Sequence, residues 1–148
     1  MTVKNTLAAI TRLGAVAAVA TGLAVAVQPA AMAAPAAAAV TVTPATGLSD
    51  NQQVTVTGTG LTPGTVYHVG QCAVVAPNTF GCDKTTSLDV VADAQGKVTA
   101  QLRVHVSFSA VVGASSTPWG TVDAKATPTQ VGLGSDAGEG GGQLISFK

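Results

Sequence analysis

Apolar and polar residues alternate with a period of two along most of the chain beyond residue 39. Val40-Thr41-Val42-Thr43 and Val54-Thr55-Val56-Thr57 each put valine on one side and threonine on the other, the pattern of a half-buried strand. The first stops at Pro44, the second in Gly58-Thr59-Gly60. Tyr67 to Val75 predicts a third strand and Leu88 to Val91 a fourth, which runs into the turn Asp93-Ala94-Gln95-Gly96. The clearest alternation is Val98 to Phe108, whose even-numbered residues are all apolar or small. It predicts one continuous central strand with the even positions inward. Trp119 to Val122, Gln130 to Leu133 and Leu144 to Phe147 supply the remainder. Some seven short strands at roughly 10-residue spacing, with no helical pattern after residue 33, predict an all-β, immunoglobulin-like antiparallel sandwich. Phe108 and Trp119 are assigned to its core on size and apolarity. Gly138 to Gly142 reads as a flexible hairpin tip and Ala33 to Ala39 as a loose arm before the first strand.

The N-terminus has a different pattern. Lys4 and Arg12 precede a charge-free apolar stretch from Leu13 to Val27, followed by Ala31-Met32-Ala33 and Ala34-Pro35. This is the layout of a secretory signal peptide with a small-x-small cleavage site. The stretch falls short of the ~18 to 20 residues that span a bilayer. Residues 1–33 are therefore expected to be removed, leaving a single domain at 34–148 that is secreted, extracellular and free of the membrane. In that oxidising compartment the two cysteines, Cys72 and Cys82, are expected to pair with each other.

Every Asp and Glu, and every Lys and Arg except Lys4 and Arg12, lies beyond residue 33, so the mature part carries a net charge of −2. That balance excludes a basic surface for nucleic acid. No Gly-x-Ser-x-Gly elbow or His-Glu-x-x-His motif is present, and Gly138-Glu139-Gly140-Gly141-Gly142 lacks the lysine a phosphate loop needs. No catalytic residue and no metal site is expected. His68 and His105 read as solvent-facing strand residues, with no carboxylate near enough in sequence to make either a ligand set.

Several segments then align in order with a known family: Val42-Thr43-Pro44, Gly47-Leu48-Ser49-Asp50, Val69-Gly70-Gln71-Cys72-Ala73, Trp119-Gly120-Thr121-Val122-Asp123, Gln130-Val131-Gly132-Leu133 and Ile145-Ser146-Phe147. Across the whole mature part they resemble the neocarzinostatin family of enediyne antibiotic apoproteins. The resemblance implies a seven-stranded sandwich with a ligand cleft, secreted by an actinobacterium as a monomer. Its function would be to carry a hydrophobic, non-covalently held chromophore that cuts DNA, so that DNA is met only through the ligand. It implies no enzyme; a peptidase activity proposed for the family has no residues to support it here.

By register with the family, the cleft would be lined by His68, Gly70, Val74, Phe80, Ser87, Val112, Gln130 and Gly132. The family's large cleft aromatics are missing: Val74 stands for a tryptophan, Ser87 for a phenylalanine, and Val111 or Val112 for loop aromatics, leaving Phe80 as the one ring. His68 replaces an acidic residue, which removes an attraction for a cationic ligand. Stacking contributes about 0.5 to 1.5 kcal/mol per aromatic pair, so weaker binding of a family-type chromophore is expected. The alternative is a secreted module of the same fold that has lost its ligand. Ala124 and Thr129 occupy the family's second disulfide, so a looser loop is expected there.

Overall fold

The computed structural model describes residues 36–148; the signal-peptide assignment lies outside them. Ten strands follow in order: β1 Ala39–Thr43, β2 Gln52–Thr59, β3 Val66–Ala76, β4 Thr79–Asp83, β5 Leu88–Val91, β6 Val98–Val104, β7 Ser107–Val112, β8 Thr117–Asp123, β9 Thr129–Gly134 and β10 Gly140–Ile145. They form two antiparallel sheets. The smaller has the order β1-β2-β6; the larger runs β10-β9-β3-β4-β7-β8, with β5 on the free end of β3.

The alternation dictates which side of each strand is covered. Val54 and Val56 of β2 and Leu102 and Val104 of β6 point inward from the small sheet, and Tyr67 and Val69 of β3 with Val131 and Leu133 of β9 meet them from the large one. Burying each such side chain contributes about 1.5 to 3 kcal/mol. Gly58 shows how closely the sheets press: a Cβ there would lie 2.5 Å from Leu133 Cδ2. A second, smaller cluster of Ala73, Phe108, Ala110, Val122 and Ala124 backs the β7–β8 end.

Four expectations need correction. Val98 to Phe108 is not one central strand. β6 is an edge of the small sheet, and β7 belongs to the large one. The chain changes sheets at His105 and Val106. Even positions stay inward on both sides of the crossing because both sheets face the same core. The break costs no hydrogen bonds: the Gln71 amide satisfies His105, the Val106 amide donates to Asp50 Oδ1 at 2.8 Å, and its carbonyl accepts from the Ala124 amide at 2.7 Å.

Trp119 is 50% exposed rather than core. The register opposite β7 skips from Gly120 to Pro118, so Trp119 is the extra residue of a bulge, a device that releases a side chain from the inward alternation. The glycine-rich segment is not a loose tip either. Gly140, Gly141 and Gly142 are ladder residues of β10, and Glu139 is tied to Thr62, accepting from its amide at 3.1 Å and its hydroxyl at 2.8 Å. The Tyr67 hydroxyl, with Thr62, holds the Glu139 carboxyl below its ordinary pKa. Finally, His105 is not a solvent-facing strand residue but a half-buried one at the crossing, with its ring against Asp83.

Candidate functional site

Strand β3 runs through the middle of the large sheet, with β9 on one side and β4 and β5 on the other. Its odd residues face the core, and Val66, His68, Gly70, Cys72 and Val74 face outward. Residues paired across an antiparallel ladder share a face, so the register defines the outer surface row by row. Gly70, Gly132 and Gly142 stand side by side on β3, β9 and β10. In the next row are Leu144, Gln130, Cys72, Cys82, Val111 and Pro118. Gly70 and Gly132 therefore show bare backbone on two adjacent strands, while the Gln130 side chain lies over Gly142, its Cδ 3.1 Å from where a Cβ would stand. Over this glycine patch opens a cleft of about 300 Å³.

The cleft brings together six of the eight residues expected from sequence: His68, Gly70, Phe80, Ser87, Gln130 and Gly132, together with both cysteines. Cys72 and Cys82 are joined by a disulfide. Val74 shares the face but stands just outside the wall, opposite Phe80 and 46% exposed. Val112 does not belong to the cleft: it pairs with Gly81 on the opposite face, whereas its neighbour Val111, opposite Cys82, is on the cleft side. The wall also includes Gly134 and Gly141, of which Gly141 lies in the segment expected to be a flexible hairpin tip. Gly134 pairs with Gly140 and Gly141 with Leu133 across the β9–β10 hairpin, a placement legible only once the hairpin register is fixed.

His68 is the one ionisable side chain in the wall. Its Nδ1 lies 2.6 Å from Asp89 Oδ1 on β5 and its Nε2 3.1 Å from Asp136 Oδ1 in the β9–β10 turn. These hydrogen bonds, Asp89 first and Asp136 second, hold its pKa above the ordinary value. The negative charge that His68 itself does not supply is thus present from two other elements. Both carboxylates are distant in sequence, which is why the histidine read as unpartnered. Among the described residues no group of three or more His, Cys, Asp or Glu is arranged to hold a metal ion.

Behind the floor the polar groups are buried. Gln71, between Gly70 and Cys72, points inward; its Nε2 donates to the His105 carbonyl and its Oε1 accepts from the His105 amide, both at 2.7 Å. Asp83, next to Cys82, is fully buried. It accepts from the Thr85 amide at 2.8 Å and hydroxyl at 2.6 Å, and lies 2.8 Å from His105 Nδ1. Burial pushes this carboxyl up, but the hydrogen bonds from Thr85 and His105 outweigh it and hold the pKa below the ordinary value.

At the expected second-disulfide positions, Ala124 and Thr129 are both buried. The loop between them is closed by hydrogen bonds from the amides of Lys125, Ala126 and Thr127 to Asp123 and from the Thr129 hydroxyl to the Thr127 carbonyl.

The sequence model of the Neocarzinostatin family matches residues 40–147. Macromomycin of Streptomyces macromomyceticus is 61% identical over 144 residues, covering 97% of this chain and 98% of that protein. The antitumor antibiotic C-1027 apoprotein of Streptomyces globisporus is 33% identical, covering 92% of each. The solved structure of macromomycin superposes with a TM-score of 0.75 at 69% identity, covering 76% of this chain and all of that one.

Proposed function

This chain belongs to the neocarzinostatin family, and we propose that it is a secreted, non-enzymatic carrier that holds a hydrophobic small molecule of the enediyne chromophore class in the cleft over Gly70 and Gly132. Residues 1–33 serve as its signal peptide and 34–148 as the carrier domain. DNA is reached only through the ligand, since the mature part bears a net charge of −2. One observation carries the reading: Gly70 and Gly132, paired across β3 and β9, floor an apolar recess of about 300 Å³ on the outer face of the large sheet. Shielding requires little more than such a recess, because a labile apolar ligand is protected by exclusion of water.

A second reading is favoured by a different observation. Phe80 is the only aromatic ring in the cleft wall, and it is 46% exposed, as suits a module of this fold that has given up its chromophore. Titrating the mature domain with a neutral naphthalene fluorophore separates the two. Saturable binding at one site per chain supports the carrier; no binding up to the probe's solubility supports the module.

A further inference from the structure

The buried polar groups behind the floor call for a separate explanation. A carboxylate removed from water is costly unless it is fully paired, and a well-packed apolar replacement for a buried ion pair is often no less stable. Stability alone therefore gives no reason for Asp83 to be where it is. Its connections do. Gln71 and Asp83 each sit one residue from a cysteine of the floor, on the inner side of β3 and β4. Both reach the same residue, His105, at the crossing between the sheets.

From Asp83 the network continues to Thr85 and, at 3.4 Å, to the Thr86 hydroxyl. The turn is closed by the Ser87 hydroxyl, which donates to the Lys84 carbonyl at 3.1 Å. Ser87 is the rim of the cleft over Gly70: a Cβ on Gly70 would lie 3.6 Å from Ser87 Cβ. Among the described residues no buried side-chain nitrogen or oxygen lacks a partner, and a network satisfied throughout holds one geometry.

We propose that Gln71, Asp83 and His105 are positioning residues for the cleft, a buried strut that fixes the Lys84–Ser87 rim over the glycine floor and so sets ligand affinity without touching the ligand. The inference rests on the carrier reading above.

The test uses the mature protein, the naphthalene fluorophore, and the variants Asp83→Asn and Thr85→Val. Thr85 is exposed, so its loss leaves the core intact. Affinity is measured well below each melting transition, where every chain is folded. The strut predicts that Asp83→Asn weakens probe binding about tenfold and Thr85→Val about threefold, the scale of one or two lost hydrogen bonds, with the Ser87 and Gly70 amide signals displaced in the free proteins. A merely structural role lowers the melting temperature but leaves the affinity of the folded chain and those signals unchanged, and that result overturns the proposal. If Asp83→Asn does not fold, Thr85→Val decides by the same criteria. Failure of the wild type itself to bind removes the carrier reading and the strut's role with it, whereas equal binding by wild type and folded variants removes the strut alone.

Discussion

Cys72 and Cys82 stand directly opposite each other across the β3–β4 ladder, so the bond between them is at once a covalent staple and part of the cleft floor. Replacing both with alanine should cost about 2 to 3 kcal/mol, the chain-entropy value for so short a loop. Chemical denaturation of the wild type and the double variant measures it. Equal midpoints would show that the staple adds nothing to the ladder already formed.

The inward register of β6 makes an asymmetric prediction for two adjacent residues. Val104 is fully buried, while Arg103 faces solvent and its Nη1 donates to the Asn51 carbonyl at 3.2 Å. Val104→Asp places an unpaired charge between the sheets and should cost ~4 kcal/mol or more; Arg103→Asp should cost ~1 kcal/mol or less. Similar melting temperatures for the two variants would contradict the register.

This part of the fold was legible because alternation is a local signal. The sheet change at His105 was not, since a period of two continues unbroken when successive strands face one core from opposite sides. Trp119 was misread for a related reason: its size argues for burial, and only the pairing of β7 with β8 reveals the bulge that turns it out. In the site, Gly70, Gln130 and Gly132 could be placed by family register. Asp89 and Asp136 about His68, and Asp83 against His105, come from elements far apart in sequence, and no spacing rule connects them. Val112 failed by one residue, which in a strand is the whole difference between two faces.

Stability should depend on pH in two opposed ways. The raised pKa of His68 means that its pairing with Asp89 and Asp136 stabilises fully below the unfolded value of about 6.5 and is lost as pH rises through the higher folded value. The lowered pKa of Asp83 means that its contribution is present above an unfolded value of about 3.9 and is lost as pH falls through the lower folded one. Glu139 acts in the same direction as Asp83. Melting temperature should therefore be flat between about pH 4 and 6.5 and fall on either side. The alkaline fall should be shallow, because the His68 side chain is 51% exposed. His68→Gln should flatten the alkaline limb and Asp83→Asn should reduce the acid one; limbs unchanged in both variants would refute these assignments.

Binding of a flat aromatic ligand should tighten when the missing rings are returned. Val74 borders the cleft beside Phe80 and Ser87 forms its rim, so Val74→Trp with Ser87→Phe adds two stacking surfaces. At about 0.5 to 1.5 kcal/mol per aromatic pair, the two pairs should together gain roughly five- to 140-fold in Kd. A double variant that is folded but binds no better than wild type would show that the rings do not reach the ligand.

The central claim is that the glycine floor exists to receive a ligand, and Gly70 allows it to be tested with little disturbance to the fold. A Cβ at this position meets only Ser87 Cβ, at 3.6 Å, an ordinary contact, so a side chain can start here without displacing the backbone, and Gly70→Leu extends it to fill the recess from below. The decisive measurement is a titration of wild type and Gly70→Leu with the naphthalene fluorophore, followed by backbone amide shifts. The account predicts saturable shifts in the wild type centred on Gly70, Cys72, Cys82, Gln130 and Gly132, and none in a folded Gly70→Leu. Shifts centred elsewhere on the sandwich, or equal binding by the two proteins, would contradict it.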